Sequence, residues 1–298
     1  MGFRTFDEVE QYILTQKIMK RIALCGAHDE PALSAVIMAR RAGLVEAVLI
    51  GDEPQIIALC NTLGEEPAGF EIIHEPDELA SAKLAVALVK KGKADIPMKG
   101  LMQTSSFMKA ILDKEEGLLP EGKLLSETTV FEYPDQDKVM FVTDCAVNIT
   151  PDLAAKVQLI HNAVTLARCF GVKEVKVAAL SVVEKANPKI PSTMDAAALA
   201  GMSWDNCIVE GPFALDNAVS KEAARHKGMD SRIAGQADVL LCSDLCMGNV
   251  IHKGLHFFAH LKTAGALCGT AAPVIMTSRT DSPNAKYNSI LTAILQSL

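Results

Sequence analysis

The chain has 298 residues, 49% of them hydrophobic and 22% charged, which is enough to bury a large core in one domain or two smaller ones and excludes a disordered chain. Its net charge is −7 and its Lys/Arg runs stay short, which argues against a nucleic-acid footprint and leaves small molecules as the preferred partners. Apolar runs such as 83–90 fall far short of the roughly 20 residues that span a bilayer. The first residues carry acids and no apolar stretch, so neither a membrane segment nor an ordinary secretion signal is expected.

In chain order, expected strands at 21–26, 47–51, 70–74 and 94–98 alternate with helical spacing at 32–41, 55–63, 79–91 and 105–114. That is the rhythm of an α/β fold with a mostly parallel sheet. At 124–144 the rhythm changes. Val130-Phe131-Glu132-Tyr133 and Val139-Met140-Phe141-Val142 flank the turn-rich Pro134-Asp135-Gln136-Asp137, which predicts an antiparallel pair and a domain crossing. Pro151 then opens a long helix to about residue 170, followed by strands at 175–180 and 237–242 and a helix from Asn249 to about 262. Two strands at 265–268 and 273–276 and a C-terminal helix from about Ser282 complete the pattern. With no Pro/Gly/Ser tether between them, two subdomains with a substrate cleft are expected. The eight cysteines lie scattered through these elements without a Cys-x-x-Cys and read as buried thiols of a cytoplasmic protein.

Three strand ends could carry chemistry. In 237–253, a hydrophobic strand delivers Asp244, a turn at Gly248 and an Asn249 cap into a helix carrying Lys253, and helix-start amides can hold an anion. Read plainly, Asp244 and Asn249 are a turn and a cap. In 273–282, Thr277, Ser278 and Arg279 offer hydroxyl and guanidinium donors to a phosphate or a developing oxyanion. A capped helix start explains Asp281 or Ser282 but leaves Arg279 unexplained. In 98–106, Lys99, Gly100 and Thr104 repeat the arrangement with a lysine, although Lys99 could simply be solvated. His252, His256 and His260 recur every four residues without the Glu of a His-Glu-x-x-His motif, so a packed histidine face is expected and no metal site. Gly26-Ala27-His28-Asp29 lacks the full dinucleotide fingerprint, and no ATP-type phosphate loop occurs.

Taken together and in order, five segments resemble the phosphate acetyltransferase/phosphate butyryltransferase family, most closely its butyryl branch. They are Met98-Lys99-Gly100, Thr143-Asp144-Cys145-Ala146-Val147-Asn148, the run from Glu210 through Asp216 to Ala218, Asp244 with Gly248, Asn249 and Lys253, and Thr277-Ser278-Arg279. The resemblance implies a two-subdomain fold similar to isocitrate/isopropylmalate dehydrogenases. Residues 1–128 with 266–298 would form one subdomain, 129–265 the other, and the active site would lie in the cleft. It also implies interconversion of acyl-CoA plus phosphate with acyl phosphate plus CoA in a ternary complex, with CoA as substrate, no bound cofactor and a homo-oligomer. Ser278 and Arg279 match the family's catalytic pair. The acetyl branch's catalytic Asp falls at Ala285, which leaves Asp281 as the nearest candidate base. Lys109 stands where the family has an arginine, keeping charge but losing the bidentate fork. Lys99, Gly100, Thr104, Lys109, Asp144, Asp216, Asp244, Gly248, Asn249 and Lys253 are the expected substrate-binding residues. These departures favour a butyryl or other short or branched acyl group over acetyl. Acetyl transfer, a metal- or NAD-dependent dehydrogenase of related fold, and a non-catalytic binder of acyl phosphate or CoA are the competing readings.

Overall fold

The computed structural model describes residues 2–298. The chain divides into two compact units, one made of residues 6–123 with 264–298 and the other of residues up to 5 with 124–263.

The first unit opens with helix α1 (Phe6–Thr15), which buries Phe6, Val9 and Ile13 at helical spacing. Strand and helix then alternate: β1 (Lys20–Cys25), α2 (Glu30–Arg41), β2 (Val45–Gly51), α3 (Glu53–Thr62), β3 (Glu71–His74), α4 (Glu78–Lys90), β4 (Ile96–Lys99) and α5 (Thr104–Ile111). The four strands make a parallel sheet in the order β3-β2-β1-β4. Buried Ile22, Ala23, Leu24 and Cys25 follow one another in β1, as expected where helices cover both faces. Asp52 and Asp77 cap α3 and α4 by accepting from the N–H groups of Gln55 and Ala80.

In the second unit, β5 (Ser126–Tyr133) and β6 (Lys138–Thr143) pair antiparallel around Pro134-Asp135-Gln136-Asp137, as the turn chemistry predicts. Next come α6 (Leu153–Cys169), β7 (Val175–Leu180), α7 (Pro191–Ala200), β8 (Cys207–Phe213), the short α8 (Leu215–Val219) and α9 (Lys221–His226), β9 (Val239–Leu241) and α10 (Leu245–Phe257). The strands run β5-β6-β9-β7-β8, parallel from β6 onward. Phe131, Met140, Val142, Leu180, Phe213 and Leu240 form its core. The chain returns to the first unit through β10 (Thr263–Cys268) and ends in α11 (Pro283–Gln296). Every residue of α11 from Asn288 to Leu295 is buried, so it is a core helix and not a surface one.

Three expectations need correction. The helix placed at Asn249 begins at Leu245, because the Asp244 carboxylate accepts from Met247 N–H and caps it there; Gly248 and Asn249 lie inside the helix. The segment 273–276 is not a full strand. It makes single bridges, Met98 to Ile275 in parallel and Leu267 to Val274 antiparallel, which still seat it beside β4. The helix bearing His252 and His256 ends at Phe257, and His260 lies beyond it with φ 51°.

Candidate active site

In the first unit, the ends of β1 and β4 and the bridging segment 273–276 meet at the carboxyl edge of the parallel sheet, where open α/β folds bind ligands. Cys25 and Lys99 are register partners at the ends of β1 and β4, and Lys99 N–H donates to Ile275 carbonyl at 2.9 Å. The turns that follow touch backbone to backbone. Gly100 N–H donates to Cys25 carbonyl (2.8 Å) and Leu101 N–H to Gly26 carbonyl (2.9 Å). Gly26 has φ +65°, and a Cβ on Gly100 would stand 2.3 Å from Gly26 carbonyl oxygen, so neither position accepts a side chain.

This packing brings three cations together. Lys99 is only 2% exposed, and its Nζ has a single long contact, 3.4 Å to Gly100 carbonyl. Lys286, in the first turn of α11, is 1% exposed and donates to Thr277 Oγ1 and Ser278 carbonyl, both at 2.8 Å. Arg279 is exposed and donates to the neutral Gln103 Oε1 at 3.2 Å. Among the described residues, no carboxylate lies within ion-pair distance of these three groups. Burial, then the charges of Lys286 and Arg279, hold the Lys99 ammonium below its ordinary pKa, against an opposing pull from Asp29. Burial likewise lowers Lys286, with Asp29 and Asp281 pulling the other way. Burial also pushes the neighbouring Cys25 thiol up to about 12, which makes it an inert core thiol.

Asp281 is turned inward on its own loop. Its Oδ2 accepts from Ser278 N–H at 2.8 Å and its N–H donates to Ser278 carbonyl at 3.2 Å, while Ser282 is the residue that caps α11. Ser278 Oγ lies 3.0 Å from Thr280 Oγ1. Ala285 is buried one residue before Lys286. Thr104 and Lys109 are exposed on α5, whose start is fixed by Glu78 accepting from Gln103 N–H (2.9 Å) and Ser106 Oγ (3.1 Å).

The remaining expected residues lie in the second unit. Asp144 is 2% exposed. Its Oδ1 accepts from Ala146 and Val147 N–H at 2.8 and 2.9 Å, and its Oδ2 accepts from Asn148 Nδ2 at 2.6 Å, so its oxygens organise the loop after β6. Asp244 is held below its ordinary pKa: burial opposes its charge, but hydrogen bonds from Met247 N–H and Ser243 Oγ overcome that cost. A Cβ on Gly248 would meet Asp144 carbonyl oxygen at 1.9 Å, so α10 lies directly on that loop. Asn249 Nδ2 donates to Cys145 carbonyl at 3.3 Å, and Lys253 Nζ sits 5.8 Å from the Phe257 ring centre. Asp216 is half exposed and pairs with Lys227 at 3.0 Å. His252 Nδ1 is 3.0 Å from Thr129 Oγ1, and no group of metal-binding side chains occurs among the described residues.

Sequence reasoning missed Lys286. The signal was present: a lysine four and eight residues before Ile290 and Ile294 lies on the buried stripe of its helix.

The family model described as phosphate acetyl/butaryl transferase matches residues 70–294. A phosphate butyryltransferase from Clostridium acetobutylicum is 42% identical over 296 residues, covering 98% of each chain. A phosphate acetyltransferase from Thermotoga maritima is 40% identical over 275 residues, 91% of this chain and 93% of that one. Among solved structures, a branched-chain phosphotransacylase from Enterococcus faecalis V583 matches with a TM-score of 0.83 at 32% identity, covering 94% of this chain and 99% of that one. The class these findings define is an acyltransferase enzyme of mixed α/β build. Within it, the chain belongs to the phosphate acetyl/butaryl transferase family and is a phosphate acyltransferase.

Proposed function

We propose that the chain interconverts a butyryl or other short or branched acyl-CoA plus phosphate with the acyl phosphate plus CoA, by direct attack in a ternary complex. The observation that carries this reading is the cluster of Lys99, Lys286 and Arg279 at the sheet edge without a carboxylate partner. Two buried ammonium groups left uncompensated are costly, and an anionic substrate arriving beside them offsets that cost.

In the direction of acyl phosphate formation, a phosphate oxygen attacks the thioester carbonyl. The C–O bond forms, the tetrahedral oxyanion collapses, and the C–S bond breaks to release CoA thiolate, which takes up a proton. Arg279 and Ser278 are assigned to the phosphate and the oxyanion, with Lys99 and the turn at Gly100 supplying charge and close backbone approach. Thr104 and Lys109 stand on the neighbouring helix as further contacts for an anion. Asp281 is retained as the nearest carboxylate, although its hydrogen bond to Ser278 N–H makes it a keeper of the turn as much as a base. In the second unit, Asp144, Asp244, Gly248 and Asn249 are assigned to shaping a CoA-binding surface, with Lys253 and Asp216 as its outer polar contacts. The alternation of parallel strands and helices in both units supports an architecture similar to isocitrate/isopropylmalate dehydrogenases. CoA acts as substrate, and no bound cofactor enters the scheme.

A cytoplasmic homo-oligomer is part of the same reading. Its supports are the free cysteines, Cys246 exposed among them, and the exposed apolar Val250 and Phe258 in and beside α10. Among the described residues, no helix is long and apolar enough to cross a membrane.

Purified protein given acyl-CoAs of two to six carbons with phosphate is expected to release free thiol, fastest with butyryl or a branched acyl group. Equal or faster release with acetyl-CoA would overturn the chain-length preference, and no release with any of them would overturn the reaction.

A further inference from the structure

Lys286 is as covered as Lys99, but its ammonium is already engaged by two short hydrogen bonds, whereas Lys99 keeps only one long contact. The two hydrogen bonds of Lys286 grip the backbone that presents the reactive pair, one through Thr277 Oγ1 and one through the carbonyl of Ser278. From Asn288 to Leu295 the helix carrying it is buried with apolar or small polar side chains, so at buried position 286 a methionine or leucine would fill the same space without the cost of a charge. A shape-only role therefore does not account for a lysine.

We propose that Lys286 is a positioning residue for the phosphate step, fixing Ser278 and Arg279 through the 277–278 backbone while its buried charge, acting with Lys99, sets the affinity of that turn for a doubly charged phosphate. The groups that face it are consistent with this role. Asp29 and Asp281 act on it from the start of α2 and from its own loop, yet neither pairs with it, so its charge stays available to a ligand. Lys99 lies close enough that Lys286 helps to depress its ammonium, so a phosphate at the turn is attracted by both. The proposal rests on the acyl-transfer reading for its substrate but not for its test, which uses inorganic phosphate alone as well as turnover.

The test compares the wild type with Lys286→Met, which keeps length and removes charge, and Lys286→Gln, which keeps a donor and removes charge. Steady-state thiol release is measured with butyryl-CoA and phosphate, phosphate binding is titrated without acyl-CoA, and thermal unfolding is followed for each protein. Both variants are expected to raise the KM for phosphate at least tenfold and weaken phosphate binding in parallel, with the KM for butyryl-CoA changed less than threefold and the unfolding midpoint at or above the wild type. Unchanged phosphate KM and binding in both variants would overturn the proposal. So would a lowered midpoint in both together with losses shared across both KM values and kcat, because that pattern marks a residue needed only for folding. Phosphate binding that depends on Lys286 in a protein that releases no thiol would sink the acyl-transfer reading and leave this inference standing.

Discussion

Lys99 and Lys286 place their ammonium groups where water cannot solvate them, and that burial bears on stability at this site. For each, the folded-state pKa lies below the ordinary 10.5 of a lysine, mainly through burial. A lysine with a lowered folded pKa binds protons less readily in the folded than in the unfolded chain. Its burial cost is therefore full below the folded pKa and fades as pH rises from there to 10.5. The stability difference between Lys286→Met and the wild type should accordingly narrow as pH climbs through that window; a difference independent of pH up to 10.5 would show that Lys286 is not strained by burial. Cys25 illustrates the contrast. It is equally buried, but as a neutral thiol it needs no partner.

At the scale of elements, α10 shows how local chemistry fixes a boundary. Asp244 caps the helix, and Gly248 inside it lets the helix touch Asp144 carbonyl. Glycine within a helix normally costs about 1 kcal/mol relative to alanine, so Gly248→Ala would stabilise an isolated helix. Here the added methyl has nowhere to go, and overpacking of this kind costs about 1–3 kcal/mol. A lowered denaturation midpoint for Gly248→Ala is expected, whereas a raised one would mean the helix can back away from the loop. Much of the element order was legible because β1 to α5 alternate with clean periodicity and polar caps. The misses have physical causes. Pro212 lies within β8, and a proline argues against a strand unless, as here, that strand is the last in the sheet order. Thr5-Phe6-Asp7-Glu8 has the spacing of a capping box ahead of α1, but ten residues are too few for helical periodicity to stand out beside it. At α10, Gly248 reads as a turn in the sequence because the backbone it packs against is more than a hundred residues away. The site was legible in the same uneven way: Lys99, Ser278 and Arg279 stand out at strand ends, but burial of Lys99 and the grip of Lys286 on the 277–278 backbone depend on packing between distant segments.

For the whole molecule, a net charge of −7 coexists with a local concentration of positive charge at one sheet edge. Overall charge argues against a nucleic-acid partner, while the local cluster suits a small anion. The chain belongs to a family of phosphate acyltransferases, and under the proposed function the anion is phosphate, held at Ser278 and Arg279 next to the two buried lysines. The most direct test of this account is phosphate-dependent thiol release from butyryl-CoA by the wild type and Arg279→Ala, both checked for an unchanged unfolding midpoint. The account predicts that Arg279→Ala loses kcat/KM by at least about a hundredfold, the scale of removing an oxyanion-type donor. Release by Arg279→Ala at the wild-type rate would contradict it.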